Sequence, residues 1–296
     1  MRREPSLARR FFDRYEPVHG VTYFSPESRE AMDALGCRGF WMGYFASRSA
    51  PLGTASVPLV TSVFYNFSPM RVEKALTGAW AATTPAEALA ARLRSAAATL
   101  RRYGVDGNSD AVRVAAELSA KAARTAPVDG RALFAANTAL PWPDDPVEVL
   151  WHATTLLREH RGDGHSAALL ASGITGRQSN ALHCAAGAVP TEYMKQSRDY
   201  DDAEWEQCCA DLADRGLLTG DGSLTSDGRK LKHRVEEMTD TLALTALRGL
   251  DDTEVETLFR ALTPITRAVV AGGDVPAATP MALRRDELDD DSAHLS

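Results

Sequence analysis

The chain has 296 residues, 44% of them apolar, and its 33 basic residues against 40 acidic ones leave a formal charge of −7. That length supports about two domains with a sizeable core, and no window approaches the roughly twenty uninterrupted apolar residues of a membrane span. The acidic balance weighs against nucleic acid as a partner, because affinity for phosphate comes largely from a basic surface.

The N-terminal stretch MRREPSLARRFFDRYEP is basic but lacks the apolar run and cleavage site of a secretory signal. It reads as a short arm entering a helix, in a protein expected to be cytoplasmic. In EPVHGVTYF, Glu16 to Phe24, Pro17 restricts Glu16 and predicts a helix start. His19 and Tyr23 then fall one turn apart, a pair suited to a polar ligand, to acid–base work or to a plain core hydrogen bond. The densest aromatic groups follow: Phe40, Trp41, Tyr44 and Phe45, then Phe64, Tyr65 and Phe67. With Trp80, Trp142 and Trp151 they would wall a flat apolar ligand or fill a core.

Apolar residues recur at helical spacing in Ala86 to Arg102 and Ser226 to Leu247, and in nearly every long segment, so the chain is expected to be all-α. Pro85 to Tyr103 carries four arginines against Glu87, which read as a solvated face, and Gly104 to Gly107 would be a reduced wing. Between Ala135 and Pro146 three prolines break the periodicity, predicting a structured linker packed on the core. The four cysteines, Cys37, Cys184, Cys208 and Cys209, have no CxxC spacing and read as reduced packing residues.

Trp151 to His165, WHATTLLREHRGDGH, is the richest stretch in titratable groups. Helical spacing puts His152, Leu156 and either Glu159 or His160 on neighbouring faces. Arg161-Gly162-Asp163-Gly164 is expected to end that helix, with His165 starting the next and folding back. Histidine and a desolvated carboxylate suit proton transfer near neutral pH, so His160, His165, Glu159 and His152 are the candidate catalytic group; capping of helix ends is the plainer role. His19, Tyr23, Trp41, Phe64, Trp151, Arg158 and Arg161 are the candidate ligand-binding residues, an arginine holding an anionic substituent. The histidines are separated by seven and four residues, and HxxxH and HExxH are absent, so the spacing names no metal ligands and a metal-assisted pocket is the lesser version of this reading. Haem on one histidine is compatible with the cluster, but no spacing tests it.

From Asp201 the order is a helix, LLTGDG, then SLTSDGRKLKHRVEEMTDTL and LRGLDDTEVETLFRALTPITRAVV. Strand signals are few, and the best is the hairpin around Gly220-Asp221-Gly222, between Leu217–Thr219 and Ser223–Thr225. This final third resembles the end of MarR-type winged-helix regulators, on Arg215-Gly216-Leu217-Leu218, Leu224 to Arg229 and Leu250 to Glu254. Over its whole length the chain is similar to an actinobacterial family labelled helix-turn-helix proteins, on EPVHGVTYF, LFAANTALPWPDDP and LWHATTLLREHRGDGH. Those resemblances imply a winged-helix scaffold. The would-be reading helix, Asp201 to Gly216, nevertheless holds six acidic residues against Arg215 alone, which repels phosphate.

Laying Arg38-Gly39-Phe40 on Arg161-Gly162-Asp163 gives a weak internal repeat. The expected organisation is therefore a first winged-helix-like half (1–134), a linker (135–146), a second half (147–285) and an acidic disordered tail (286–296), the halves forming a pseudo-dimer as a monomer or homodimer. The expected function is small-molecule binding in a pocket between the halves, as an enzyme of specialised metabolism; a ligand-responsive transcription regulator is the rival.

Overall fold

The computed structural model describes residues 3–276, 281 and 283–295. Among them are fourteen α-helices: α1 (Pro5–Phe24), α2 (Pro26–Ala34), α3 (Phe40–Ser49), α4 (Val57–Val63), α5 (Pro69–Ala82), α6 (Pro85–Arg102), α7 (Asp110–Thr125), α8 (Ala132–Thr138), α9 (Pro146–Ala171), α10 (Gly176–Ala185), α11 (Thr191–Arg198), α12 (Asp202–Asp214), α13 (Ser226–Leu244) and α14 (Asp252–Ala271). The all-α expectation holds. Local chemistry starts many of these helices. Thr84 with Glu87, Thr175 with Gln178 and Asp251 with Glu254 form reciprocal capping boxes at α6, α10 and α14, satisfying backbone N–H groups that a helix start leaves open.

The organising element is α9, which packs against α1, α6, α7, α8 and α13. Asp145 caps its start, accepting from Val147 and Glu148, and Pro146 sits in the first turn, where its missing N–H costs nothing. The main core joins Phe11, Leu100, Trp151, Leu156, Leu258 and Phe259 from α1, α6, α9 and α14. A second core, made by the end of α9 with α10, α12 and α13, holds Leu169, Ile174, Leu212 and Val235. The hairpin exists in minimal form as one antiparallel bridge between Leu218 and Leu224, with Thr219 N donating to Ser223 O and Thr225 N to Leu217 O.

Several sequence expectations are corrected. Pro17 lies inside α1 instead of starting it; burial of the surrounding residues Glu16 to Thr22 offsets the lost backbone bond. Arg161 to Gly164 does not end a helix, since α9 runs through it to Ala171. Packing again overrides propensity: Leu242 of α13 lies against Gly164, and Asp163 accepts from the Phe134 backbone N–H at 2.8 Å, near the start of α8. Arg38-Gly39 is a sharp turn, with Gly39 at φ 84 heading α3, so the two pairs used to align the repeat differ in backbone. The expected linker begins inside α8. The acidic segment, expected as a disordered tail, packs on the bundle: Leu288 is buried, Arg14 donates to the carbonyls of Glu287 and Asp290, and Arg10 pairs with Asp290.

Candidate small-molecule site

Three helices present side chains at helical spacing: Glu16, His19 and Tyr23 on α1 and Trp41, Tyr44 and Arg48 on α3, each at steps of three and four, and on α9 Thr155 with Arg158 and Glu159 three and four residues beyond it. Such spacing makes one stripe per helix, and the three stripes meet. Arg48 forks onto Glu159, Nε to Oε1 at 2.9 Å and Nη2 to Oε2 at 3.0 Å. Its Nη1 donates to the Tyr44 hydroxyl at 2.8 Å. Arg158 Nη1 donates to Glu159 Oε2 at 2.7 Å, and its Nε lies 3.4 Å from Glu16 Oε2. Both oxygens of Glu16 are buried without a hydrogen-bond partner among the described residues.

The two carboxylates therefore behave oppositely. Burial pushes Glu16 up to about 7, an effect Arg158 only partly offsets. Burial also acts on Glu159, but Arg158 and Arg48 outweigh it and hold that carboxyl well below the usual range. Both arginines are driven up despite their burial, chiefly by Glu159. A charge removed from water needs this kind of pairing.

His19 bridges Thr155 and Tyr23, with Nδ1 2.9 Å from Thr155 Oγ1 and Nε2 2.8 Å from the Tyr23 hydroxyl. The Thr155 hydroxyl donates to the Trp151 carbonyl, so it accepts from Nδ1–H, and Nε2 is left as the acceptor of the Tyr23 proton. Burial, followed by the charge of Arg158, keeps the imidazole neutral, its pKa well below the ordinary value. Burial raises Tyr23. The result is a neutral pair with a defined proton direction, from tyrosine to histidine.

Tyr23 opens onto a cavity of about 420 Å³ walled by Phe40, Trp41, Tyr44 and Phe67, with Arg158 on one side and Tyr193 to Arg198 of α11 on another. A smaller cavity of about 220 Å³ shares Tyr44, Phe67, Arg158 and Arg198, and extends between α9 and α13 past Arg161 and His165. The site thus lies where the bundle meets the α10–α13 unit.

Of the expected ligand-binding residues, Tyr23, Trp41 and Arg158 border the larger cavity, Arg158 and Arg161 border the smaller, and His19 stands behind Tyr23. Phe64 is core, edge-on to Phe45, and Trp151 is buried with its Nε1 on the His19 carbonyl. The expected catalytic group does not converge. His152 packs edge-on to Trp142, and His160 edge-on to Phe134 with Nε2 3.4 Å from the Thr245 hydroxyl. His165 lines the smaller cavity with Nδ1 on Thr239, and Glu159 serves the arginines. Successive histidines on one continuous helix point to different sides, so the folding back that was to join them has no turn to make it. No group of three or more His, Cys, Asp or Glu among the described residues is arranged for a metal ion. Arg48 and Arg198 were missed: Arg48's partner is 111 positions away, although the Tyr44–Arg48 spacing was a usable signal.

A family model described as a helix-turn-helix family matches residues 8–276. No curated protein and no solved structure matches the chain.

Proposed function

The chain belongs to this helix-turn-helix family, and from that premise we propose that it is a small-molecule-binding protein whose aromatic cavity faces a Tyr23–His19 proton-transfer pair. The observation that carries the reading is the 420 Å³ space between Trp41, Tyr44 and α11 with Tyr23 on its wall, a volume and lining typical of small-molecule sites. Tyr23 would accept a proton from the bound molecule while passing its own to His19 Nε2, leaving an imidazolium and the deprotonated molecule. Burial and the charge of Arg158 make a lasting imidazolium costly, so the transfer is transient and its reversal returns the proton. This is the action of an enzyme on a small, partly aromatic substrate. Glu159 is a positioning residue here, holding Arg48 and Arg158.

Crystals soaked with mono- and bicyclic phenols and aromatic acids test the reading. Fragment density between Trp41 and Tyr23 is expected, reduced in Trp41→Ala. Density confined to the outer surface at millimolar concentrations would sink it.

One observation favours a second reading, a ligand-responsive regulator. Helix α11 both roofs the cavity and leads through Asp199 and Asp201 into α12, the helix in the place of a DNA reader. Its acidic face opposes this: Asp202, Glu204, Glu206, Asp211 and Asp214 have no basic residue among them on α12, and pressed on phosphate they would repel it. A low-salt mobility shift on DNA flanking the gene separates the two readings, a specific shift favouring regulation.

A further inference from the structure

The inference rests on the small-molecule reading and concerns the chemistry of what enters the cavity. Six Arg and Lys side chains border the two cavities. Five have a carboxylate partner: Arg9 with Asp13, Arg48 with Glu159, Arg158 with Glu159 and Glu16, Arg161 with Asp240, and Lys232 with Glu236. Arg198 is the exception among the described residues. It is only 8% exposed, its Nε has no hydrogen-bond partner, and its one hydrogen bond among the described residues runs from Nη1 to the neighbouring Ser197 carbonyl at 3.4 Å. Asp199, the acid next to it, is taken by Arg71, which also reaches the Gln196 carbonyl. The guanidinium is fixed face-on, its central carbon 4.3 Å from the Phe67 ring centre and 5.9 Å from that of Trp41.

A buried charge is ordinarily paired, and here a guanidinium with no acid partner among the described residues lines an aromatic-walled space instead. We propose that Arg198 recognises a single carboxylate on a flat aromatic molecule, the ring lying against Trp41 and Tyr44 and the carboxylate accepting from the guanidinium. The planar donors of a guanidinium suit the two oxygens of a carboxylate. One negative charge balances the single unpaired cation, whereas a phosphate monoester would bring nearly two.

The test compares 2-naphthoate with 2-naphthamide, equal in shape and different in charge, by calorimetric titration of the full chain at pH 7. Wild type is expected to bind the carboxylate at least about tenfold more tightly than the amide, as a charge-assisted bidentate pair implies. Arg198→Met should abolish that preference and leave amide binding in place, and Arg198→Lys should restore part of it; circular dichroism checks that each variant is folded. Equal binding of the two probes by wild type overturns the carboxylate assignment while leaving the cavity reading intact, and this comparison needs no variant. A preference that survives in folded Arg198→Met overturns the role of Arg198. Failure of both probes to bind overturns the cavity reading itself, and the proposal with it.

Discussion

In the bundle, α1, α3 and α9 bring Glu16, Arg48, Arg158 and Glu159 together out of water, and each charge depends on a partner from another helix. In the α10–α13 unit the opposite holds. Its core of Leu169, Ile174, Leu212 and Val235 is apolar, and pairs such as Lys195–Asp202 and Lys230–Asp227 stay at the surface. Surface pairs are screened and contribute little, whereas breaking a buried pair strands a charge. Charge thus has different work in the two regions: in the bundle it forms a buried network, and in the α10–α13 unit it dresses the outer face, save for Arg198 and the Lys232–Glu236 pair at the cavities.

The largest effect should come from breaking the buried fork. Arg48→Met leaves Glu159 with Arg158 alone, and the loss should be about 3–5 kcal/mol in urea denaturation. Lys195→Ala, in the other region, should leave the curve unchanged. Adding Glu159→Gln to Arg48→Met should recover part of the loss; no recovery would mean that Arg48 acts through packing on Phe64, over which its guanidinium sits at 4.4 Å.

Two pH effects come next, with opposite signs. Glu16 has its folded pKa raised to about 7 from an ordinary value near 4.5. The folded protein therefore holds the proton more tightly, and stability falls as pH rises through that window, by about 3 kcal/mol. Glu16→Gln should flatten the loss and raise the melting temperature at pH 8 with little change at pH 4.5; an unchanged pH 8 melt would remove Glu16 from the account. His160 is the reverse case, lowered by burial to about 3. Its neutral form contributes stability that is complete above pH 6.5 and falls as pH drops toward 3, a loss on the order of 3 kcal/mol by pH 4. His160→Gln should shallow that acid limb. His152 and His165, each lowered by burial to about 4, steepen it in the same direction.

The same contrast explains what could be read from the chain. Helix existence, the hairpin and the acidic α12 depend on neighbours within a few residues, and they were legible. So were Tyr23, Trp41 and Arg158 as residues near a cavity, because aromatic density and charge on a helix are local signals. Arg48–Glu159 and the unpaired Arg198 are products of long-range assembly, and beyond the Tyr44–Arg48 step no spacing announces them. The histidines misled for a related reason: closeness in sequence on a helix sends side chains to different sides, so His152, His160 and His165 occupy three separate environments.

The smallest predicted effect concerns Gly162, whose residue type predicted a helix end where α9 continues. Glycine inside a helix costs about 0.5–1 kcal/mol relative to alanine, through the freedom it loses on folding. A Cβ added at Gly162 would meet Arg158 Nη1 and Glu159 Oε2 at 3.6 Å, ordinary contact distance. Gly162→Ala should therefore stabilise the protein by up to about 1 kcal/mol, read as a rise in denaturation midpoint at unchanged slope. The methyl group would rest on the arginine–glutamate fork, so a loss of stability would mean that the fork needs room beside Gly162, and that the glycine serves the charge network instead of marking a turn.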